Sequence, residues 1–145
     1  MSAAPTPANG PSPASFRYTV RVYYEDTDAG AVVYYANYLK FCERARTEWL
    51  RQCGVEQKTL LDERGIAFMV RRLKAEFVAP ARLDDALDVS TQVARLAGAS
   101  VVFAQRIARA GQLLFECEVV VACVNHARGR PMPIPPDLRA CFSHP

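Results

Sequence analysis

Three acids, Glu25, Asp26 and Asp28, fall within four residues and are followed by Gly30. A carboxylate beside a carbonyl carbon can attack it as a nucleophile, or take a proton from the water that does. Either route puts negative charge on the carbonyl oxygen. The unpaired N–H groups at the start of a helix, together with the positive end of its macrodipole, can hold such an oxygen. The acids meet this requirement by position, because an amphipathic helix follows them. Taken as residue types alone they fit equally well a helix cap or a solvated turn.

Rival chemistries fit less well. A calcium loop counted from Asp26 needs a glutamate at its twelfth position, where Asn37 stands. The Asp26-Thr27-Asp28 triplet superficially matches a phosphotransferase, but that chemistry needs a doubly wound sheet and a longer chain. No G-x-S-x-G elbow, Walker loop, H-E-x-x-H or dinucleotide fingerprint occurs. The five cysteines (Cys42, Cys53, Cys117, Cys123, Cys141) show no C-x-x-C spacing and read as reduced, packed thiols. The two histidines, His126 and His144, lie in or near the C-terminal tail, away from a nucleophilic role with them. Neither a metal nor a cofactor is expected.

The elements that must position the acids follow from periodicity. Phe16, Tyr18, Val20, Val22 and Tyr24 alternate with other residues as a half-buried strand, and residues 25–30 break that alternation as a loop. Tyr34, Tyr38, Phe41, Ala45 and Trp49 recur at helical steps, with a second row of Leu39, Cys42, Leu50 and Cys53, up to about Gly54. A shorter helix over about residues 55–64 stops at Gly65. Alternating strands follow near residues 72–77, 87–93, 101–107 and 113–124, with Gly98 and Gly111 at hairpin turns. This predicts an α+β domain whose antiparallel sheet buries one face on the long helix. The edges of such a sheet favour self-association.

With 145 residues, half of them hydrophobic, the chain suits a single domain. We read residues 1–15 as an uncharged, disordered Pro/Ala-rich tail, 16–130 as the domain, and 131–145 as a Pro-rich tail packing on its surface. A net charge of +3 suits an anionic small molecule, and without a basic run it gives no support to nucleic-acid binding. No stretch is apolar enough for membrane insertion and no signal peptide is evident, which points to the cytoplasm.

The run from Val22 through Glu25-Asp26-Thr27-Asp28-Ala29-Gly30 to Tyr38, continued by Glu43-Arg44-Ala45-Arg46, resembles the YbgC-type acyl-CoA thioesterases, 4-hydroxybenzoyl-CoA thioesterase-like members of the hotdog superfamily. The likeness extends over about residues 16–142, including Ala79-Pro80-Ala81-Arg82-Leu83-Asp84-Asp85. It implies a hotdog fold, an antiparallel five-stranded sheet wrapped around one long central helix, with two subunits completing each active site. It also implies hydrolysis of a small to medium acyl-CoA, with Asp28 as the catalytic carboxylate, Tyr24 beside it, and backbone N–H groups near Val33 and Tyr34 polarising the carbonyl. Gly30 and Tyr35 are supporting positions. Many members carry histidine where this sequence has Tyr35, which cannot act as a base near neutral pH. Arg71, Arg72 and Lys74 are candidates for the phosphates of coenzyme A. Another branch of the superfamily uses a helix carboxylate, for which Glu43 is the candidate here. By the same resemblance the partners are a second copy, as homodimer or tetramer, and an acyl carrier protein or the Tol-Pal cell-envelope system. A module that binds acyl-CoA or acyl carrier protein without turnover is the alternative reading.

Overall fold

The computed structural model describes residues 15–143. The expected N-terminal tail, Ser15 apart, and the last two residues lie outside them. Strand β1 (Phe16–Arg21) leads through a single 3-10 turn (Tyr24–Asp26) and an irregular loop into helix α1 (Asn37–Gln52) and the short helix α2 (Gln57–Arg64). Four long strands follow: β2 (Ile66–Phe77), β3 (Ala86–Leu96), β4 (Ser100–Arg109) and β5 (Gln112–Asn125). The chain closes with a two-residue strand, β6 (Arg130–Pro131), and helix α3 (Pro136–Ser143). The sheet order is β1-β3-β4-β5-β2, antiparallel throughout, with β6 paired to the end of β5. This is the hotdog arrangement, with α1 packed against the concave face of the sheet.

The expected stripe on α1 is buried: Tyr38, Phe41, Cys42, Ala45, Trp49 and Leu50 face the sheet. They meet inward residues of alternate strand positions, Leu87 and Val89 on β3, Val101, Phe103 and Ile107 on β4, and Phe115 and Val119 on β5. Helix α2 ends where Gly65 turns left-handed at φ 65°, a conformation that favours glycine because it has no Cβ.

Three features differ from the sequence reading. Helix α1 starts at Asn37, not Tyr34, because Tyr34 gives its N–H to the Asp26 carbonyl and residues 34–36 form a turn. The cysteines are not all thiols: Cys53, at the end of α1, is bonded to Cys141 of α3, while Cys42, Cys117 and Cys123 are free and buried. The C-terminal segment also does more than lie on the surface. Proline suits the first position of a helix, since its missing N–H would be unpaired there in any case. Helix α3 begins at Pro136 and sends Leu138 and Phe142 into the core, and Ile134 before it is buried as well. The Phe142 ring makes edge contacts with Phe68 at 5.7 Å, Phe103 at 5.9 Å and Trp49 at 6.3 Å. Among the described residues, no helix is long and apolar enough to cross a membrane.

Candidate active site

The loop between β1 and α1 is knitted by its own acids. Asp26 is buried; its carboxylate accepts the Tyr23 N–H at 2.8 Å. Its carbonyl accepts from the Tyr34 N–H and the Asn37 side-chain amide, both at 2.9 Å. Asp26 therefore has a structural task, while Glu25 and Asp28 are both exposed. The Asp28 N–H donates to the Val32 carbonyl and its own carbonyl accepts the Ala31 N–H, each at 2.9 Å, closing a tight turn with Ala31 at φ 65°. Gly30 donates its N–H to Asp28 Oδ1 at 2.8 Å, and a Cβ built at Gly30 would come within 3.2 Å of that oxygen. A larger residue at position 30 would crowd that oxygen and push the Asp28 side chain by a few tenths of an ångström. One carboxylate oxygen is thus pinned, while among the described residues the other accepts no hydrogen bond. The side chain is exposed in the single protomer.

A second loop braces the first. The Val33 N–H donates to the Ala81 carbonyl at 2.9 Å, and Val32 bridges to Arg82. Ala81, fully buried, sends its own N–H to the Tyr38 hydroxyl at 3.0 Å. Asp85 fastens this loop by accepting the Arg82 N–H at 2.8 Å and Arg109 Nη1 at 2.7 Å. Burial pushes the Asp85 carboxyl up, but Arg82 and Arg109 together hold it below its ordinary value. Tyr38→Phe removes the acceptor of a buried N–H and nothing else of bulk. We expect it to lower unfolding free energy by about 1–3 kcal/mol, read from urea melts; an unchanged midpoint would show that the bond carries no weight.

The aromatic residues form a row that leads away from Asp28. The Tyr34 and Tyr35 rings lie 4.9 Å apart, Tyr35 meets Phe77 edge-on at 6.1 Å, and Phe77 continues to Tyr38 and Phe115, which stack at 5.1 Å. The charge and hydrogen bond of Tyr35, then slight burial, then the charge of Asp28 raise the pKa of the Tyr34 hydroxyl, so the two phenols and the carboxylate share one field. Tyr35 and Phe77 are 62% and 51% exposed, an apolar wall that no part of the described chain covers. Tyr24 does not join them: the residue is 83% exposed, and its carbonyl accepts from the Thr27 hydroxyl and N–H.

The amides of Val33 and Tyr34, expected to polarise a carbonyl, are both spent on the Ala81 and Asp26 carbonyls. A donor already inside a good hydrogen bond cannot also hold an oxyanion. Tyr35 and Ala36, in the turn that opens α1, are among the loop residues whose N–H groups find no acceptor among the described residues, as are Tyr24, Glu25 and Ala29. Sequence reasoning missed Tyr35 and Ala36 because it started the helix too early.

Arg71, Arg72 and Lys74 come together in a shallow groove of about 590 Å³ on the outer sheet face, joined by Arg95, Ser100 and Glu118. Neighbours on a regular strand point to opposite faces. Arg71 and Arg72 share this groove because the β2–β5 register shifts between Val70 and Arg72, and an irregularity between Val93 and Arg95 accompanies Arg95 there. Lys74 stands three residues from Phe77, roughly 10 Å along β2. Glu43, the alternative acid, is exposed and accepts the Thr47 hydroxyl at 2.7 Å.

Residues 22–142 match the family model described as the thioesterase-like superfamily. The chain is 51% identical over 128 residues to the acyl-CoA thioester hydrolase YbgC of Escherichia coli O6:H1, an alignment covering 88% of this chain and 95% of that relative. It is 47% identical over 129 residues to the acyl-CoA thioesterase YbgC of Haemophilus influenzae, covering 89% and 95%. Among solved structures, a probable thioesterase from Bartonella henselae superposes with a TM-score of 0.79 at 35% identity, covering 84% of this chain and all of that one.

Proposed function

This chain belongs to the thioesterase-like superfamily, and from that membership and its likeness to the YbgC acyl-CoA thioesterases we propose that it hydrolyses acyl-CoA thioesters with Asp28 as the reacting carboxylate. The observation that carries the reading is the state of Asp28. Its Oδ1 is held by Gly30 and its other oxygen accepts no hydrogen bond among the described residues, in the loop that leads to the amides of Tyr35 and Ala36, which find no acceptor there either. With the acyl oxygen on those amides, the open oxygen attacks the carbonyl carbon and the C–S bond breaks, releasing the coenzyme A thiolate; water then cleaves the mixed anhydride to the free acid. Alternatively the same oxygen takes a proton from water as the water attacks. Both routes use one carboxylate and one oxyanion site.

Tyr35 and Phe77 supply an apolar wall for the acyl group, and Arg71, Arg72, Lys74 and Arg95 supply cations for the coenzyme A phosphates. Strand β2 is an edge with exposed Met69, Val70, Leu73 and Phe77. We assign that edge to a second copy, as dimer or tetramer, whose pairing would cover the open side of the Asp28 site. Acyl-CoA as substrate favours the cytoplasm; the Cys53–Cys141 bond pulls the other way, since reducing compartments open most disulfides.

The test is thiol release from short, medium and aromatic acyl-CoAs by the full chain, with Asp28→Asn as control. Turnover of at least one class is expected. The basic groove also suits a module that binds acyl-CoA or an acyl carrier protein, alone or beside the Tol-Pal system, without turnover. Tight binding with no thiol released from any thioester would select that second reading.

A further inference from the structure

Helix α1 carries a charged group that the Asp28 chemistry leaves unused. Arg46 stands nine residues beyond the helix start, roughly 14 Å along its axis. Its Nη1 donates to Gln105 Oε1 at 2.8 Å; Gln105, itself buried, gives its amide to the Cys42 carbonyl at 2.9 Å and the Thr91 hydroxyl at 2.8 Å. Among the described residues no carboxylate lies within 4.0 Å of the guanidinium. Burial is the largest influence on it and lowers its pKa, opposed by the nearby Cys42, Glu43 and Cys117. A half-buried cation without a paired anion carries a desolvation cost, and a fork of five N–H donors with one engaged has capacity to spare.

A cavity of about 110 Å³ opens beside it. Thr47 and Gln57 share its polar side with Arg46, while Phe68, Phe103 and Phe142 line the apolar side. A dry cavity of about 150 Å³ takes benzene, so this one suits a ligand of roughly six non-hydrogen atoms or fewer. No residue of the Asp28 loop lines it. We infer that this cavity binds the carboxylate of a short organic acid, with the carboxylate on Arg46 and the carbon chain against the three phenylalanines.

The Arg fork matches a carboxylate in geometry as well as charge, and the phenylalanines exclude a fully hydrated inorganic anion. Glu43 lines the same cavity but is exposed, so solvent screens its repulsion more than it screens Arg46. The carboxylate has two possible sources: a free acid, such as thioester hydrolysis releases, or the far end of an acyl group. The site does not depend on the assignment of Asp28, and the test below reads binding as well as turnover.

The test is calorimetric titration of the full chain with butyrate and with butyramide, its neutral counterpart of equal size, at constant ionic strength. Butyrate should bind at least tenfold tighter, Arg46→Met should abolish that preference, and Glu43→Gln should strengthen butyrate binding severalfold. Equal binding of the two compounds, or a preference that survives Arg46→Met, overturns the inference. Should Arg46→Met fail to fold, the exposed Glu43→Gln variant decides, and an unchanged butyrate affinity there also overturns it. Kinetics then separate the sources. If Arg46→Met slows hydrolysis of the mono-CoA thioester of dodecanedioic acid, whose chain is long enough to span the distance from the helix start, but not that of dodecanoyl-CoA, the acyl end is the ligand; if it instead relieves inhibition by butyrate, the ligand is the free acid.

Discussion

Asp28→Asn is expected to lower kcat/KM for acyl-CoA hydrolysis by about 10³-fold, equivalent to about 4 kcal/mol of transition-state stabilisation, while the fold is retained. The substitution is well suited to the question because the amide oxygen can still accept the Gly30 N–H, so the turn that presents the side chain survives. What it removes is the open oxygen's ability to attack carbon or take a proton. The effect should fall on kcat, since the groove and the aromatic wall proposed to hold the substrate are untouched. Equal rates for both proteins would remove Asp28 from the mechanism and send attention to Glu43.

Opening the Cys53–Cys141 bond should have the largest effect on stability. It spans 88 residues of sequence. Restoring that loop's freedom to the unfolded chain costs the folded state about 4–5 kcal/mol in the chain-entropy picture, against a total of about 5–15 kcal/mol for an ordinary domain. Cys141→Ser and a dithiol reductant should therefore each lower the thermal midpoint by many degrees, and the reductant should add nothing to the variant. A reductant that leaves the wild-type midpoint unmoved would show that the clamp contributes nothing. Helix α3 should loosen first, because its salt bridge, Arg64 to Asp137 at 2.7 Å, is exposed and of modest worth.

How far the molecule was legible in its sequence depends on how local each signal is. The strands and the buried stripe of α1 came through because period and burial are properties of neighbouring residues. Tyr34 misled because it continues the helical row of Tyr38, Phe41 and Ala45 through a turn that is not helical, and its own N–H is taken by the Asp26 carbonyl. The adjacency of Arg71 and Arg72 in one groove depends on a register irregularity that alternation cannot announce. The pairing of Cys53 with Cys141 is a long-range fact, invisible to spacing. Leu138 and Phe142 were overlooked because the prolines before them drew attention to the surface, although Pro136 in fact begins the helix that buries them.

The order of strands across the sheet also bears on how the chain reaches this state. The β3-β4 and β4-β5 pairings join sequence neighbours through hairpins at its middle, whereas β1 must find β3 and β2 must find β5 across long stretches of chain. Closing large loops is slow until something rewards it, so assembly should spread from the central hairpins to the rims. The loop bearing Asp28 is anchored to β1, which makes the candidate site a late arrival during refolding. Pulse-labelled hydrogen exchange that found the β1 amides protected before those of β4 would contradict this sequence of events.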